Sequence, residues 1–127
     1  MIKVGFYGLT GCAGCQLSVV FEEDEFLDLV GLIDIRAWPF IKEINYEEKF
    51  DYVFMVGVVE SIFPHSQSMD DNFGIEEERR LCYVGMTRAK KKLYMIHASS
   101  RMLYGGVHSN SASRFIEEIS DDVSEYM

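Results

Sequence analysis

The run FDYVFMVGVV, residues 50–59, restricts the fold of this chain more than any other feature, because eight of its ten residues are apolar. A strand that is apolar on both faces is typical of a parallel sheet covered by helices on both sides. Other β-rich runs lie at residues 2–9, 32–40 and 92–98. The pattern predicts a sheet of about four strands with residues 50–59 near its centre.

Helical patterns separate these strands. Apolar residues recur at helical spacing across residues 15–32. Residues 76–90 begin with acids and end with bases, which suits the helix dipole, and they form the clearest predicted helix. Residues 61–75 are polar and rich in turn formers, which predicts a loop. Ser111 or Ser113 is predicted to cap a short final helix.

The order of the elements indicates the fold class. Strands that alternate with helices need crossover connections, which favour a parallel sheet with helices on both faces. The predicted class is α/β: a three-layer α/β/α sandwich, flavodoxin-like or half RecA-like, with strand order 2-1-3-4. A chain of 127 residues fits one core, so residues 1–127 are predicted to form a single α/β domain.

Charge narrows the functions open to the chain. The net charge is −9, which argues against a nucleic-acid partner because polyanions are bound mostly through Lys and Arg. Half of the twelve basic residues nevertheless lie within fourteen positions, and we call this set the basic island: Arg79, Arg80, Arg88, Lys90, Lys91 and Lys92. An anion-binding surface is expected there.

Hydropathy indicates where the protein resides and what it could contact. The apolar runs are too short to cross a bilayer, and the N-terminus lacks the apolar stretch that a secretory signal needs. We therefore expect a cytoplasmic protein with no membrane partner. The open edge of a parallel sheet can pair with a second copy, so a homodimer through an exposed sheet edge is the partner that the pattern favours.

The chain has three cysteines, Cys12, Cys15 and Cys82, which cannot all pair within one molecule. Cys12 and Cys15 lie in TGCAGC, between a predicted strand and a predicted helix. Two thiolates at this spacing can bind one metal ion or one corner of a cluster. Cluster ligands, a zinc site, a redox pair and two unliganded thiols all stay open. Cys82 is expected to be a small buried apolar residue.

Residues 1–48 carry a first resemblance, in KVGFYGLTGCAGCQLSVVF and in Trp38-Pro39-Phe40. This segment resembles the start of the small subunit of nickel–iron hydrogenases and the 20 kDa subunit of NADH–quinone oxidoreductases. The resemblance implies that Cys12 and Cys15 match two thiolate ligands of a [4Fe-4S] cluster. Such a cluster needs four thiolates, so no cofactor is expected, with an adventitious metal or a [4Fe-4S] cluster at these cysteines as the alternative.

Residues 50–127 carry a second resemblance, in FDYVFMVGVVESIFPHSQS, in EEERRLCYVGMTRAKKKLYMIHASSRMLYG and in SNSASRFIEEI. These runs resemble motif V, motif VI and the closing helix of superfamily-one DNA helicases of the UvrD/PcrA/Rep type. The resemblance implies that Arg88 reaches the γ-phosphate of ATP from the second RecA-like domain. The sequence departs from that family at Lys49, where the family has glutamate.

The helicase-like part lacks the other half of a nucleotide site. No G-x-x-x-x-G-K-[ST] loop occurs in the sequence, and no acidic strand partner for magnesium can be identified. Arg88 can act only where another domain holds the nucleotide. The chain is therefore predicted not to be an enzyme by itself.

Two resemblances that meet near residue 49 suggest a chimera of residues 1–48 and 49–127. On this hypothesis the protein is a recombined, engineered α/β scaffold with no autonomous catalytic activity. The alternative hypothesis is a vestigial binding protein. It would bind metal or an iron–sulfur cluster through Cys12 and Cys15, or nucleotide or single-stranded DNA through the basic island around Arg88.

Overall fold

The computed structural model describes residues 1–8, 31–37, 48–103 and 106–126. Their strands and helices follow in chain order: β1 (Ile2–Gly8), β2 (Ile33–Ala37), β3 (Phe50–Val56), α1 (Asn72–Met86), β4 (Ala89–Ile96), β5 (Ser100–Leu103), β6 (Gly106–Ser109) and α2 (Arg114–Glu117). Two short 3-10 turns lie at Ser66–Ser68 and Asp121–Val123. The helix predicted over residues 15–32 lies outside the described residues.

Four strands form one parallel sheet in the order β2-β1-β3-β4, which confirms the predicted fold class and strand order. β3 lies between β1 and β4, and Phe54 pairs with Phe6 on one side and Tyr94 on the other. The apolar run of residues 50–59 therefore supplies a central strand, as its composition predicts. The arrangement is consistent with a three-layer α/β sandwich.

The main core of the described residues lies between the sheet and helices α1 and α2. Phe50, Val53 and Met55 of β3 are completely buried, and they pack with Cys82 of α1 and Phe115 of α2. Burial of large apolar side chains is the dominant stabilising contribution, at roughly 1.5–3 kcal/mol for each one. The core thus fixes α1 against β3.

Aromatic side chains connect three strands on the other face of the sheet. The rings of Phe6 and Phe54 stack with centroids 5.1 Å apart, and those of Phe54 and Tyr94 stack at 4.8 Å. Val4 and Phe6 are buried here against Ile33 and Ile35 of β2. Strand alternation places these residues opposite the main core.

α1 begins and ends four residues earlier than predicted. Asp71 caps it, because its carboxylate accepts hydrogen bonds from the N–H groups of Phe73 (3.1 Å) and Gly74 (3.2 Å). The helix ends at Met86, and the backbone from Ala89 pairs with β3 instead. Hydrogen bonding to a buried central strand outweighs the moderate helical preference of the basic segment.

The predicted strand of residues 50–59 and the predicted loop of residues 61–75 both differ from the structure. The strand of residues 50–59 ends at Val56, since Gly57 has a φ of +81° and turns the chain. Phe63 and Pro64 in the predicted polar loop are fully buried. After β4, the strands β5 and β6 form an antiparallel hairpin that the sequence pattern does not predict.

Ion pairs join the C-terminal segment to the rest of the fold. The carboxylate of Glu60 accepts hydrogen bonds from the backbone N–H of Arg114 (2.6 Å) and from its guanidinium (2.9 Å). Ser113, one of the two predicted caps, accepts a hydrogen bond from the N–H of Phe115 (3.3 Å). Arg79 of α1 donates two hydrogen bonds of 2.9 Å to Glu118. These contacts position α2 over the core.

Candidate functional site

Arg88 lies in the two-residue turn between α1 and β4, at the side of the sheet where its parallel strands begin. We call this side the amino edge. The backbone carbonyl of Arg88 accepts a hydrogen bond from the N–H of Phe50 (2.9 Å), the first residue of β3. Its own N–H donates to the carbonyl of Gly85 (3.2 Å). The backbone of Arg88 is therefore fixed between the helix end and the central strand.

The half-buried Arg88 side chain folds back over the end of α1. Its Nε–H donates to the carbonyl of Val84 (3.2 Å), and Nη2 donates to the hydroxyl of Thr87 (3.2 Å). The Thr87 hydroxyl in turn donates to the same Val84 carbonyl (3.0 Å). A cation at this position complements the negative end of the helix dipole. Thr87 and Val84 thereby contribute to the orientation of the guanidinium.

Two carboxylates at the amino edge are already engaged by cations. Glu48 accepts a hydrogen bond from Nε of Arg36 (3.1 Å) and lies 3.5 Å from Nζ of Lys3. Asp51 accepts a hydrogen bond from the backbone N–H of Lys3 (3.0 Å) and pairs with Nζ of Lys91 (3.2 Å). Three of these contacts join residues 40 or more positions apart, and the Arg36–Glu48 contact spans 12 positions. All of them join separate strands or strand starts, so only the strand register could have revealed them.

The pKa values of both carboxyl groups are lowered. Partial burial raises the pKa of Glu48, but the hydrogen bonds and charges of Arg36 and Lys3 outweigh it. For Asp51, the backbone N–H of Lys3 and the ammonium of Lys91 lower the pKa. Both groups therefore remain ionised at neutral pH and neutralise part of the surrounding positive charge.

The structure divides the five residues that share the basic island with Arg88 into two groups. Arg79 and Arg80 lie on α1, where Arg79 pairs with Glu76 and Glu118 and Arg80 pairs with Glu77. The three lysines lie on β4 and not on a helix end, because the segment pairs with β3. Lys92 is 3.8 Å from Glu125 and lies over the ring of Tyr94 at 5.3 Å.

Cys82, the cysteine that the structure describes, is not placed to bind a metal ion. Cys82 is buried in the main core, with its Sγ 3.9 Å from the sulfur of Met86, as the sequence predicts. Burial raises the pKa of its thiol to about 11, and the charge of Glu118 acts in the same direction. Among the described residues, no group of three or more His, Cys, Asp or Glu side chains could hold a metal ion. Cys12 and Cys15 lie outside this part of the chain, so a metal or cluster there stays a prediction.

The fold and the Arg88 turn correspond to a known class of domain. The sequence model of the UvrD-like helicase C-terminal domain matches residues 49–100. The match includes β3, α1, Arg88 and β4. The C-terminal part of the chain therefore resembles this domain, as motifs V and VI indicate.

Several proteins that are similar to this chain in sequence share the name ATP-dependent DNA helicase PcrA. The chain is 49% identical over 110 residues to the ATP-dependent DNA helicase PcrA of Bacillus subtilis, covering 87% of this chain and 14% of the relative. It is 53% identical over 108 residues to PcrA of Leuconostoc citreum, with 85% and 14% covered. PcrA of Staphylococcus aureus is 47% identical over 79 residues, with 61% and 11% covered. The matched part of the chain thus spans only 11–14% of the length of these relatives.

The hypothesis of a recombined, engineered scaffold is wrong. Residues 49–127 number only 79, whereas the matches to two PcrA proteins take in 110 and 108 residues. Those matches therefore continue across the supposed junction into residues 1–48. The resemblance of that segment to hydrogenase subunits, and with it the chimera, finds no support in these relatives.

One finding bears on membranes. Within the described residues, no helix is long and apolar enough to span a bilayer.

Proposed function

We propose that this chain supplies part of a composite nucleotide site in an ATP-dependent DNA helicase. In this proposal Arg88 contacts the γ-phosphate of an ATP molecule that another domain holds. One observation carries the proposal: the residues that resemble motif VI place Arg88 in the turn between α1 and β4, on a backbone anchored to the central strand. The names of the PcrA relatives support it.

The chemistry of arginine suits this role. A guanidinium is always charged, and its planar fork can donate to two phosphate oxygens at once. Phosphoryl transfer is accelerated mainly by positioning and by stabilising the charge on the transferred group, and an arginine from a second domain is a recurrent means of doing so. Arg88 would act in this way without forming any covalent bond.

The observed contacts define what Arg88 must do to reach a phosphate. Its Nε–H and Nη2 are directed to the end of α1, through Val84 and Thr87. Both hydrogen bonds are 3.2 Å long and have uncharged acceptors, whereas a phosphate oxygen is an anionic acceptor and forms a stronger hydrogen bond with the guanidinium. A nucleotide placed against the amino edge would therefore compete successfully for part of the guanidinium.

The chain by itself is proposed not to hydrolyse ATP. Its sequence contains no phosphate-binding loop of the G-x-x-x-x-G-K-[ST] type, which supplies the backbone N–H groups and the lysine that hold the β- and γ-phosphates. Arg88 alone cannot position ATP, magnesium and the attacking water. Hydrolysis requires the companion domain.

Replacement of the matching segment of Bacillus subtilis PcrA by residues 49–127 of this chain tests the proposal. We call this protein the grafted PcrA. We expect Arg88→Ala to lower its DNA-stimulated ATPase rate by about 100-fold or more, since the variant loses a charge contact made in the transition state. Arg80→Ala is the matched control, because Arg80 is exposed and pairs only with Glu77 among the described residues.

The two variants should retain the unfolding temperature of the grafted PcrA within a few degrees. Equal ATPase rates for Arg88→Ala and Arg80→Ala in folded proteins would refute the proposed role of Arg88. Hydrolysis of ATP by the chain alone would refute the need for a companion domain.

A further inference from the structure

Lys49 lies next to Arg88 at the amino edge. It directly precedes β3 and is exposed. The following residue, Phe50, pairs with Ala89 and donates its N–H to the carbonyl of Arg88 (2.9 Å). Lys49 and Arg88 therefore hold corresponding positions where two adjacent parallel strands begin, so both residues lie at the amino edge.

Neither of the two described carboxylates nearest to Lys49 in the chain forms an ion pair with it. Glu48 is engaged by Arg36 and Lys3, and Asp51 is engaged by Lys3 and Lys91. In the part of the chain that the structure describes, no carboxylate forms an ion pair with Lys49. An anion that reaches this position would therefore interact with the ammonium group of Lys49.

A register shift adds another cation beside it. Phe50 pairs with Ala89, but Tyr52 pairs with Lys92, so one extra residue of β4 lies opposite Asp51. β-Bulges of this kind redirect side chains at sheet edges. Lys91 uses its ammonium on Asp51, whereas Lys90 is exposed and has no ion pair among the described residues.

We propose that Lys49, Arg88 and Lys90 form a phosphate-binding patch for the polyphosphate of a nucleotide. The proposal rests on the proposed function, and it adds a cation where the helicase family that the segment resembles has glutamate. Lys49 strengthens the binding of phosphate, while the fork of Arg88 acts on the terminal phosphate. Because ammonium groups are flexible point charges, Lys49 and Lys90 raise affinity more than they fix geometry.

Calorimetric titration of the full chain with inorganic tripolyphosphate at low ionic strength tests the patch. We expect saturable binding that Lys49→Gln weakens about fivefold, the upper effect of an exposed ion pair. Lys92→Gln removes the same charge from a lysine of β4 that is already near Glu125, and we expect less than a twofold effect from this control. Both positions are exposed, so unfolding temperatures should be unchanged.

Three outcomes would overturn the inference: no saturable binding, equal weakening by Lys49→Gln and Lys92→Gln, or tighter Lys49-dependent binding of a short oligothymidylate than of tripolyphosphate. The last outcome would assign the patch to single-stranded DNA. The ATPase rate of grafted PcrA with Arg88→Ala reports on the proposed function alone, so the two ideas can fail separately. Lys49-dependent binding with an unaffected ATPase would sustain the patch and reject the role of Arg88.

Discussion

The side chains of Arg88 and Thr87 form hydrogen bonds at the end of α1. The hydroxyl of Thr87 both donates to the carbonyl of Val84 and accepts from Arg88. A flexible arginine loses much rotamer freedom when it binds a phosphate, and prior orientation by two hydrogen bonds reduces that loss. At the scale of single residues, the site is the guanidinium of Arg88, which hydrogen bonds orient next to the start of β4.

Cys82 gives a prediction about reactivity. Burial raises the pKa of its thiol to about 11, from an ordinary value of 9.0. We therefore expect iodoacetamide at about pH 8 to leave Cys82 unmodified in the folded protein and to alkylate it after unfolding in urea, because the thiolate is the reactive form. Peptide mass spectrometry identifies the modified residue, and equal alkylation in both states would contradict the assignment.

The same pKa predicts how stability changes at alkaline pH. Above pH 9 the unfolded chain releases the Cys82 proton while the folded chain retains it, so the free energy of unfolding falls from about pH 9 to pH 11. Urea unfolding of Cys82→Ala provides the comparison, since this variant lacks the contribution and should show a shallower decline. Identical declines would show that Cys82 ionises normally.

The burial of a residue can often be predicted from the sequence, whereas its ionic contacts often cannot. The burial of Cys82 follows from its place among the apolar positions of a helix. The contacts of Asp51 with Lys3 and Lys91 do not, because they depend on which strands are neighbours and on a one-residue register shift. Ionic contacts between distant segments have no local pattern that would reveal them.

At the scale of elements, α1 carries the site, and its limits decide where Arg88 lies. The charge pattern predicts a helix from residue 76 to 90, four residues too late at both ends. Asp71 begins it by satisfying two free N–H groups, and pairing of β4 with β3 ends it. Capping by Asp71 is readable from sequence in principle, whereas the strand start at Ala89 depends on a tertiary partner.

The cap itself supplies a prediction. We expect Asp71→Ala to lower the free energy of unfolding by about 1 kcal/mol, because the N–H groups of Phe73 and Gly74 lose their acceptor. Asp70→Ala is the matched control, since this neighbouring carboxylate is exposed and caps nothing. Urea unfolding measures both variants. An equal loss in the two would mean that Asp71 acts only through its charge.

At the scale of the whole molecule, the strand order β2-β1-β3-β4 can be predicted from the sequence, whereas the contacts between segments that are distant in the sequence cannot. Alternating patterns and crossover rules leave few topologies, so four strands suffice to predict the sheet. The hairpin of β5 and β6 escapes prediction, because its short strands resemble a polar loop. A homodimer through a sheet edge stays a prediction; the described edge strands are β2 and β4, and the lysines at the start of β4 disfavour pairing there.

The ion pair between Arg79 of α1 and Glu118 of the C-terminal segment predicts that the free energy of unfolding falls in acid. Two hydrogen bonds from Arg79 lower the pKa of Glu118 below its ordinary 4.5. The folded state thus holds this group ionised at a pH where the unfolded chain protonates it. The contribution is complete above pH 4.5 and is lost as the pH falls through the lower, folded-state value.

Urea unfolding of the chain and of Glu118→Gln over this pH range checks the sign. We expect the difference between their unfolding free energies to be largest near neutral pH and to shrink in acid. A difference that is constant with pH would show that the ion pair contributes no pH-dependent stability. Glu125→Gln is a control, since its carboxylate is strongly exposed and lies 3.8 Å from Lys92.

Contact between Arg88 and the γ-phosphate is the central claim, and the affinities of grafted PcrA for ADP and for a non-hydrolysable ATP analogue test it most directly. If Arg88 binds the terminal phosphate, Arg88→Ala weakens binding of the ATP analogue by about tenfold or more and leaves ADP affinity within about twofold. Equal weakening of both nucleotides, or of neither, would contradict the claim.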